Sequence, residues 1–264
     1  MNVLILTDLE GISGVDTMEH ITDMTEGDGK LYRYACERLM ADTNAAIEGA
    51  VRAGAETIYV IDGHGPGTNF IDELLDERAT KVPASSFTEL VNDEKLDAYL
   101  QVGAHAKPGT LNGFLDHVQN SKTWHNYKVN GVCYGEIVQG SLFVGSKNIP
   151  CVMVSGDEAA CEEAKECLGS QIACAVVKRG VGRNKAECME LSLAEELIRN
   201  AAEDGIRRRN EMKPFTLPMP ITIQVEFNRT DYCEERIRPD LRRVDARTLE
   251  KTVYEIHKYQ DVLL

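Results

Sequence analysis

Five side chains of this 264-residue chain are of the kinds that hold divalent cations, and they recur in similar settings. Asp8 and Glu10 follow the apolar run Val3-Leu4-Ile5-Leu6-Thr7. His64 follows Thr57-Ile58-Tyr59-Val60-Ile61, His105 follows Ala98-Tyr99-Leu100-Gln101-Val102, and Glu136 lies in the apolar stretch 132–138. Residues two apart on extended chain point the same way, so Asp8 and Glu10 leave one strand as adjacent anions that need a cation. Four ligands saturate a tetrahedral zinc, and a catalytic zinc usually keeps three plus water. Three carboxylates and two imidazoles therefore suggest two metals that share a carboxylate, with a hydroxide between ions about 3.5–4 Å apart. Asp8 is the expected bridge, because it leads the shortest turn from its strand. Oxygen and nitrogen donors without thiolate fit zinc, leave manganese, iron or cobalt open, and argue against copper(I) or an iron–sulfur cluster. Singly, each group has a plainer reading: Asp8 as a helix cap, His64 as a turn histidine, Glu136 as the start of an amphipathic helix. His117 ends the glycine-rich loop 108–117, which is long enough to fold over such a site, and is a candidate for the chemistry.

For these groups to meet, the runs that carry them must be strands of one sheet. Short, uncharged, β-branched runs are what a parallel sheet buries on both faces, and open α/β sheets bind ligands beyond the carboxyl ends of their strands. Residues 32–54 have apolar side chains at helical spacing and end in Ala53-Gly54-Ala55, a glycine C-cap. Residues 71–97 read as charged connecting chain, helical or irregular. Val129-Asn130-Gly131 marks a hairpin turn. A strand is expected over 150–157, with Asp157 capping a helix over 158–168. Another strand over 172–177 precedes a helix over about 192–209. After the break 214–220, Ile221-Thr222-Ile223-Gln224-Val225-Glu226-Phe227 alternates as a strand with one exposed face, and a last helix is expected over about 245–259. The predicted fold is α/β: a mostly parallel sheet flanked by helices, metal ligands at the C-terminal strand ends, and a smaller C-terminal β+α portion. Residues 1–213 form the expected catalytic body, and 214–264 a strand-helix extension packed on it.

Forty-three acidic against 29 basic residues give a net charge of −14, which disfavours nucleic acid as a partner. Eight cysteines without a Cys-x-x-Cys pair read as reduced thiols. No run is long enough for a membrane span, and the N-terminus lacks a signal peptide, so a cytoplasmic protein without membrane partners is expected. Serine or thiol hydrolysis is set aside, since no Gly-x-Ser-x-Gly elbow appears and no cysteine lies in a glycine turn beside a histidine.

The ordered set Thr7-Asp8-Leu9-Glu10-Gly11, Asp62-Gly63-His64-Gly65, Gly103-Ala104-His105-Ala106-Lys107, the loop ending at His117, Gly135-Glu136 and Val154-Ser155-Gly156-Asp157 resembles the successive motifs of the bacterial zinc-dependent D-aminopeptidases, the type encoded with dipeptide-transport genes. The resemblance implies two Zn2+ per subunit, bridged by Asp8, with Glu10 and His64 completing one site and His105 and Glu136 the other. It implies His117 as the catalytic histidine. It also implies release of N-terminal D-amino acids such as D-Ala from short peptides, and a ring-shaped homo-oligomer such as a decamer. Two rival readings stay open: a two-metal phosphoesterase or amidase, and a metal-binding subunit without catalysis.

Overall fold

The computed structural model describes residues 1–26, 28–93 and 95–264. Along the chain come β1 (Asn2–Thr7), α1 (Glu19–Glu26), α2 (Lys30–Arg52), β2 (Thr57–Asp62), β3 (Ala79–Lys81), α3 (Phe87–Asp93) and β4 (Ala98–Ala104). Next are β5 (Trp124–Val129), β6 (Val132–Tyr134), α4 (Glu136–Ser146), β7 (Cys151–Asp157), α5 (Glu158–Leu168), β8 (Ala173–Gly182) and β9 (Lys185–Cys188). The chain closes with α6 (Leu191–Arg207), β10 (Ile221–Phe227), α7 (Thr230–Glu234), β11 (Arg242–Arg243) and β12 (Thr248–Val253).

Seven strands make one sheet in the order β3-β2-β1-β4-β7-β8-β9. Every neighbouring pair is parallel except β8 with β9. The chain runs outward from β1 through β2 to β3, then returns to lay β4 on the other side of β1. That reversal is a topological switch point, where such sheets open a crevice beyond the strand ends. β4 and β7 are buried at every residue, as strands covered on both faces must be. One face is covered by α2 and α6, which pack on each other and bury Leu39, Ile47, Ile198 and Ala202 in the same core.

The other face is covered by α4 and by a second, antiparallel sheet in the order β11-β12-β10-β5-β6. β10 alternates buried and part-buried residues, so its inner side chains Ile221, Ile223, Val225 and Phe227 enter the second core while the outer ones remain polar. The buried Tyr127 of β5 donates from its hydroxyl to the carbonyl of Val262 at 2.5 Å, tying the end of the chain to this layer. The C-terminal residues are thus built into a sheet with 124–134.

The helix expected over about 245–259 is absent. Those residues form β12, which pairs with β10 from Thr248 to Val253, and a short 3-10 turn at Tyr259–Asp261. Ala246, Leu249, Val253 and Ile256 are spaced as on a helix, but Thr248, Thr252 and Val253 are β-branched and β10 offers an open edge; pairing decided the outcome. Other features lay outside the sequence reading: α1, the short β3 within 71–97, the extension of β8 to Gly182 with its return as β9, α7 and β11.

Candidate metal centre

The cluster forms where β1, β2 and β4 end side by side. β1 leads into a loop that stays attached to β4: the Asp8 amide donates to the Val102 carbonyl and the Gly11 amide to the Gly103 carbonyl, each at 2.8 Å. Gly103 has φ +80°, and a Cβ there would stand 2.2 Å from the Asp8 carbonyl oxygen, so only glycine lets the two strand ends meet. The His64 turn is pinned from below by the buried Asp62. Its carboxylate accepts the Asn69 amide at 2.5 Å and the Asn69 side chain at 2.9 Å, and Asn69 in turn donates to the His64 carbonyl. Asp157 caps α5 by accepting the Ala160 amide and, with its other oxygen, accepts the Phe114 amide at 2.7 Å. One carboxylate therefore starts a helix and holds the loop that ends in His117.

These supports bring all six predicted side chains together. His64 Nδ1 lies 3.0 Å from both Asp8 Oδ1 and Glu10 Oε2. His105 Nε2 lies 3.3 Å from Glu136 Oε1 and 3.5 Å from Asp8 Oδ2. His117 Nε2 is 3.9 Å from Glu10 and 4.0 Å from Glu136, and its ring stacks on that of His105 at 4.0 Å between centroids. Ligand atoms fall into two trios, Asp8-Glu10-His64 and His105-His117-Glu136, each within 4.8 Å. Asp8 faces both imidazoles, His64 with Oδ1 and His105 with Oδ2. Glu136 is at once the first residue of α4 and a member of the cluster; α4 is buried from Ile137 to Gly145 and so is not the amphipathic helix of the plainer reading, and Glu136 Oε1 also accepts the Gln119 amide at 2.7 Å.

Burial and charge set the protonation of the group. Burial, then the neighbouring Glu10, pushes the Asp8 carboxyl up to about 7. Burial disfavours the His64 imidazolium, yet Glu10 and Asp8 overcome it and raise His64 to about 11. Against the same burial penalty, His64 holds Glu10 well below the carboxylate range, and His105 lowers Glu136 while Glu136 raises His105. His117 moves the other way: burial and the charge on His105 lower it.

The donor set fits divalent metal. His105 Nε2 is buried and has no hydrogen-bond partner. Its Nδ1 lies 3.1 Å from the Ala106 carbonyl, the bond that directs a metal-binding imidazole's other nitrogen outward as a lone pair. Separations of 3.0–3.5 Å are close to the roughly 3.3 Å between donors on a tetrahedral zinc with bonds of about 2.0–2.1 Å. The cluster lines a cavity of about 530 Å³ whose walls include Leu6, Ile61, Phe87, Gln119 and Tyr259. Among the described residues, Lys122 is the one lysine or arginine in that lining.

Sequence reasoning missed the supports: Asp62 with Asn69, the second bond of Asp157, and Lys178. Lys178 is buried in β8 and donates to the carbonyls of Glu10 at 2.6 Å and Val15 at 2.5 Å. A lysine at the end of the apolar run 172–177 was its available signal.

A switch-point crevice holding three carboxylates and three imidazoles, with a buried nitrogen aimed at the cluster, belongs to the class of metal-dependent hydrolases built on a parallel sheet. Comparison with known proteins narrows the class. The chain belongs to the Peptidase_M55 family, described as D-aminopeptidase, whose profile matches residues 1–264. A D-aminopeptidase of Bacillus subtilis (strain 168) is 27% identical over 233 residues, covering 86% of this chain and 81% of that protein. The solved structure described as "Zn-dependent D-aminopeptidase DppA from Bacillus subtilis, a self-compartmentalizing protease" shares the fold with a TM-score of 0.89. That likeness covers 100% of this chain and 96% of the other at 23% identity. Among the described residues no helix is long and apolar enough to cross a membrane.

Proposed function

We propose that the protein is a zinc aminopeptidase that releases N-terminal D-amino acids from short peptides. Asp8, Glu10, His64, His105 and Glu136 would hold two zinc ions, with Asp8 between them. The observation that carries this reading is the buried, unpartnered His105 Nε2 facing Asp8 and Glu136, beside a second trio that shares Asp8's other oxygen. Zinc bound there supplies the Lewis acidity that polarises a peptide carbonyl and lets water act as a nucleophile near neutral pH.

The chain's own residues do the rest. His117 Nδ1 lies 2.8 Å from the Leu115 carbonyl and donates to it, which leaves Nε2 as the nitrogen that faces the cluster. Its lowered pKa keeps that nitrogen free to take a proton, so His117 accepts one from the attacking water and returns it to the leaving amine. Phe87, Ile61 and Leu6 give the cavity an apolar wall for a side chain, and Tyr259 closes it from the C-terminal part. We read residues 1–213 as the catalytic body and 214–264 as an extension packed on it. A lone Lys122 in the lining is poor equipment for a phosphoester, which favours the peptide. Eight free cysteines fit a cytoplasmic enzyme, and the relative described as self-compartmentalizing supports a homo-oligomer, which we read as a ring.

The test is release of D-Ala from D-Ala-D-Ala beside the L,L dipeptide, with protein as purified, stripped by chelator and reloaded with zinc. D-selective cleavage that disappears on stripping and returns with zinc is expected. Two metals bound per chain with no dipeptide of either hand cleaved would overturn it.

A further inference from the structure

Behind His117 lies a second cavity of about 230 Å³, lined by Asp116, Ser121, His125, Arg183 and Asn228 among others. It meets the first at His117 and Ser121, which line both. The imidazole thus stands on the boundary, with the carboxylate cluster on one side and this smaller space on the other.

Arg183 sits at the tip of the β8–β9 hairpin and is tied to His117 through one residue. The Leu115 amide donates to the Arg183 carbonyl at 2.7 Å, and the Leu115 carbonyl lies 2.8 Å from His117 Nδ1. The hairpin lies hard against the loop: a Cβ on Gly180 would stand 1.9 Å from the Asn112 carbonyl oxygen. Backbone registration of this kind fixes where the guanidinium starts relative to the imidazole.

The guanidinium itself is incompletely used. Its Nε is 3.5 Å from Asp116 Oδ1, and its Nη1 donates to the Asn184 side chain at 2.9 Å. Nη2 has no partner among the described residues. Asp116 is itself engaged, since its other oxygen accepts the Gly109 amide at 2.5 Å. The side chain is 41% exposed, so it is available to a ligand entering the cavity.

We infer that this second cavity receives the residue on the leaving side of the scissile bond, with Arg183 binding that residue's free carboxylate. The inference rests on the aminopeptidase reading. If His117 returns the proton from Nε2 to the leaving amine, that amine must sit beside Nε2, and the residue it carries extends past the imidazole and Ser121, which line both spaces, into this cavity. A space of this size is below the ~300–1,000 Å³ of drug-sized pockets and suits one small residue or two. Guanidinium is the group best shaped for a carboxylate. The enzyme would then favour dipeptides over substrates whose leaving group carries no negative charge.

The experiment compares D-Ala-D-Ala with D-alaninamide, which lacks the leaving carboxylate, in wild-type and Arg183→Gln zinc-loaded protein. Arg183→Gln should raise KM for the dipeptide about tenfold or more, leave its kcat within about twofold, and leave D-alaninamide kinetics unchanged. Arg183→Lys should recover part of the loss. Arg179→Gln, on the same hairpin but paired with Glu187 outside the cavity, should change neither substrate. Wild-type cleavage of the dipeptide alone is the same preference at its limit and supports the subsite. Equal losses on both substrates, no loss on either, or the same KM shift from Arg179→Gln would overturn it. Wild-type protein that cleaves neither substrate would instead overturn the aminopeptidase reading, and the subsite with it.

Discussion

Asp42 and Glu10 are both buried carboxylates at the loop of residues 8–15, 0% and 5% exposed, but their partners differ in kind. Asp42, on α2 behind the loop, accepts the Ser13 amide at 2.8 Å on one oxygen and the Ser13 hydroxyl at 2.6 Å on the other, with Arg38 at 3.6 Å. Lys178 completes this rear side through the Glu10 and Val15 carbonyls. Glu10, on the front, must share the single Nδ1 of His64 with Asp8, while His105 Nε2 finds no hydrogen bond at all. Behind the loop, both Asp42 oxygens are hydrogen-bonded to Ser13 and the Lys178 ammonium to two carbonyls, and only Arg38 Nε is buried without a partner among these side chains. In front, acceptors outnumber donors and face a cavity. A closed polar set of the first kind is structural, whereas an open one of the second kind is shaped for a cation.

If that contrast is right, front-side substitutions should remove chemistry and spare the fold. His105→Ala should lose bound zinc and reduce D-peptide hydrolysis by ~10³-fold or more, while the chelated protein's stability changes by only about 1–2 kcal/mol. Metal analysis beside denaturant unfolding reads both, and full zinc retention would break the contrast. His117→Ala should have the next largest effect, a loss of about 10²–10³-fold in kcat with zinc content unchanged. Its Nε2 stands 4.0 Å from Glu136, so loss of zinc in that variant would move His117 from proton carrier to ligand.

The front of the loop was legible in the sequence because its logic is local. Asp8, Glu10, His64 and His105 each follow a short apolar run by one to three residues, and parallel strands deliver such positions to one edge. Glu136 was legible from its setting as a residue that needs a partner, and only the family resemblance paired it with His105. The rear was opaque because it joins distant chain: Lys178 reaches Glu10 across 168 positions, and Asp42 reaches Ser13 from within an ordinary helical pattern. The same reason explains β12. Its helical spacing was real, but pairing with β10 is a tertiary choice that no window of fifteen residues contains.

The smallest predicted effect probes the rear set and uses pH. Burial raises the Asp42 carboxyl to about 6, despite its bonds to Ser13, from 3.8 in the unfolded chain. The folded protein therefore holds a proton on Asp42 that the unfolded chain has released across this window. Stability from that group is complete below about 4 and is lost as pH rises through about 6. A gap of about two units corresponds to about 2–3 kcal/mol. Asp42→Asn cannot ionise, so between pH 4 and pH 7 the variant should gain about 2–3 kcal/mol on the wild type, measured as the change in their stability difference in chelated protein. The absolute difference at one pH mixes this with the altered bonds to Ser13, whereas its pH dependence isolates ionisation. Zinc content and hydrolysis should stay near wild type, because Asp42 touches the loop from behind. A flat difference across that range would mean that Arg38 and Lys178 already compensate the Asp42 charge, making the rear side an ion-paired network instead of a hydrogen-bonded one.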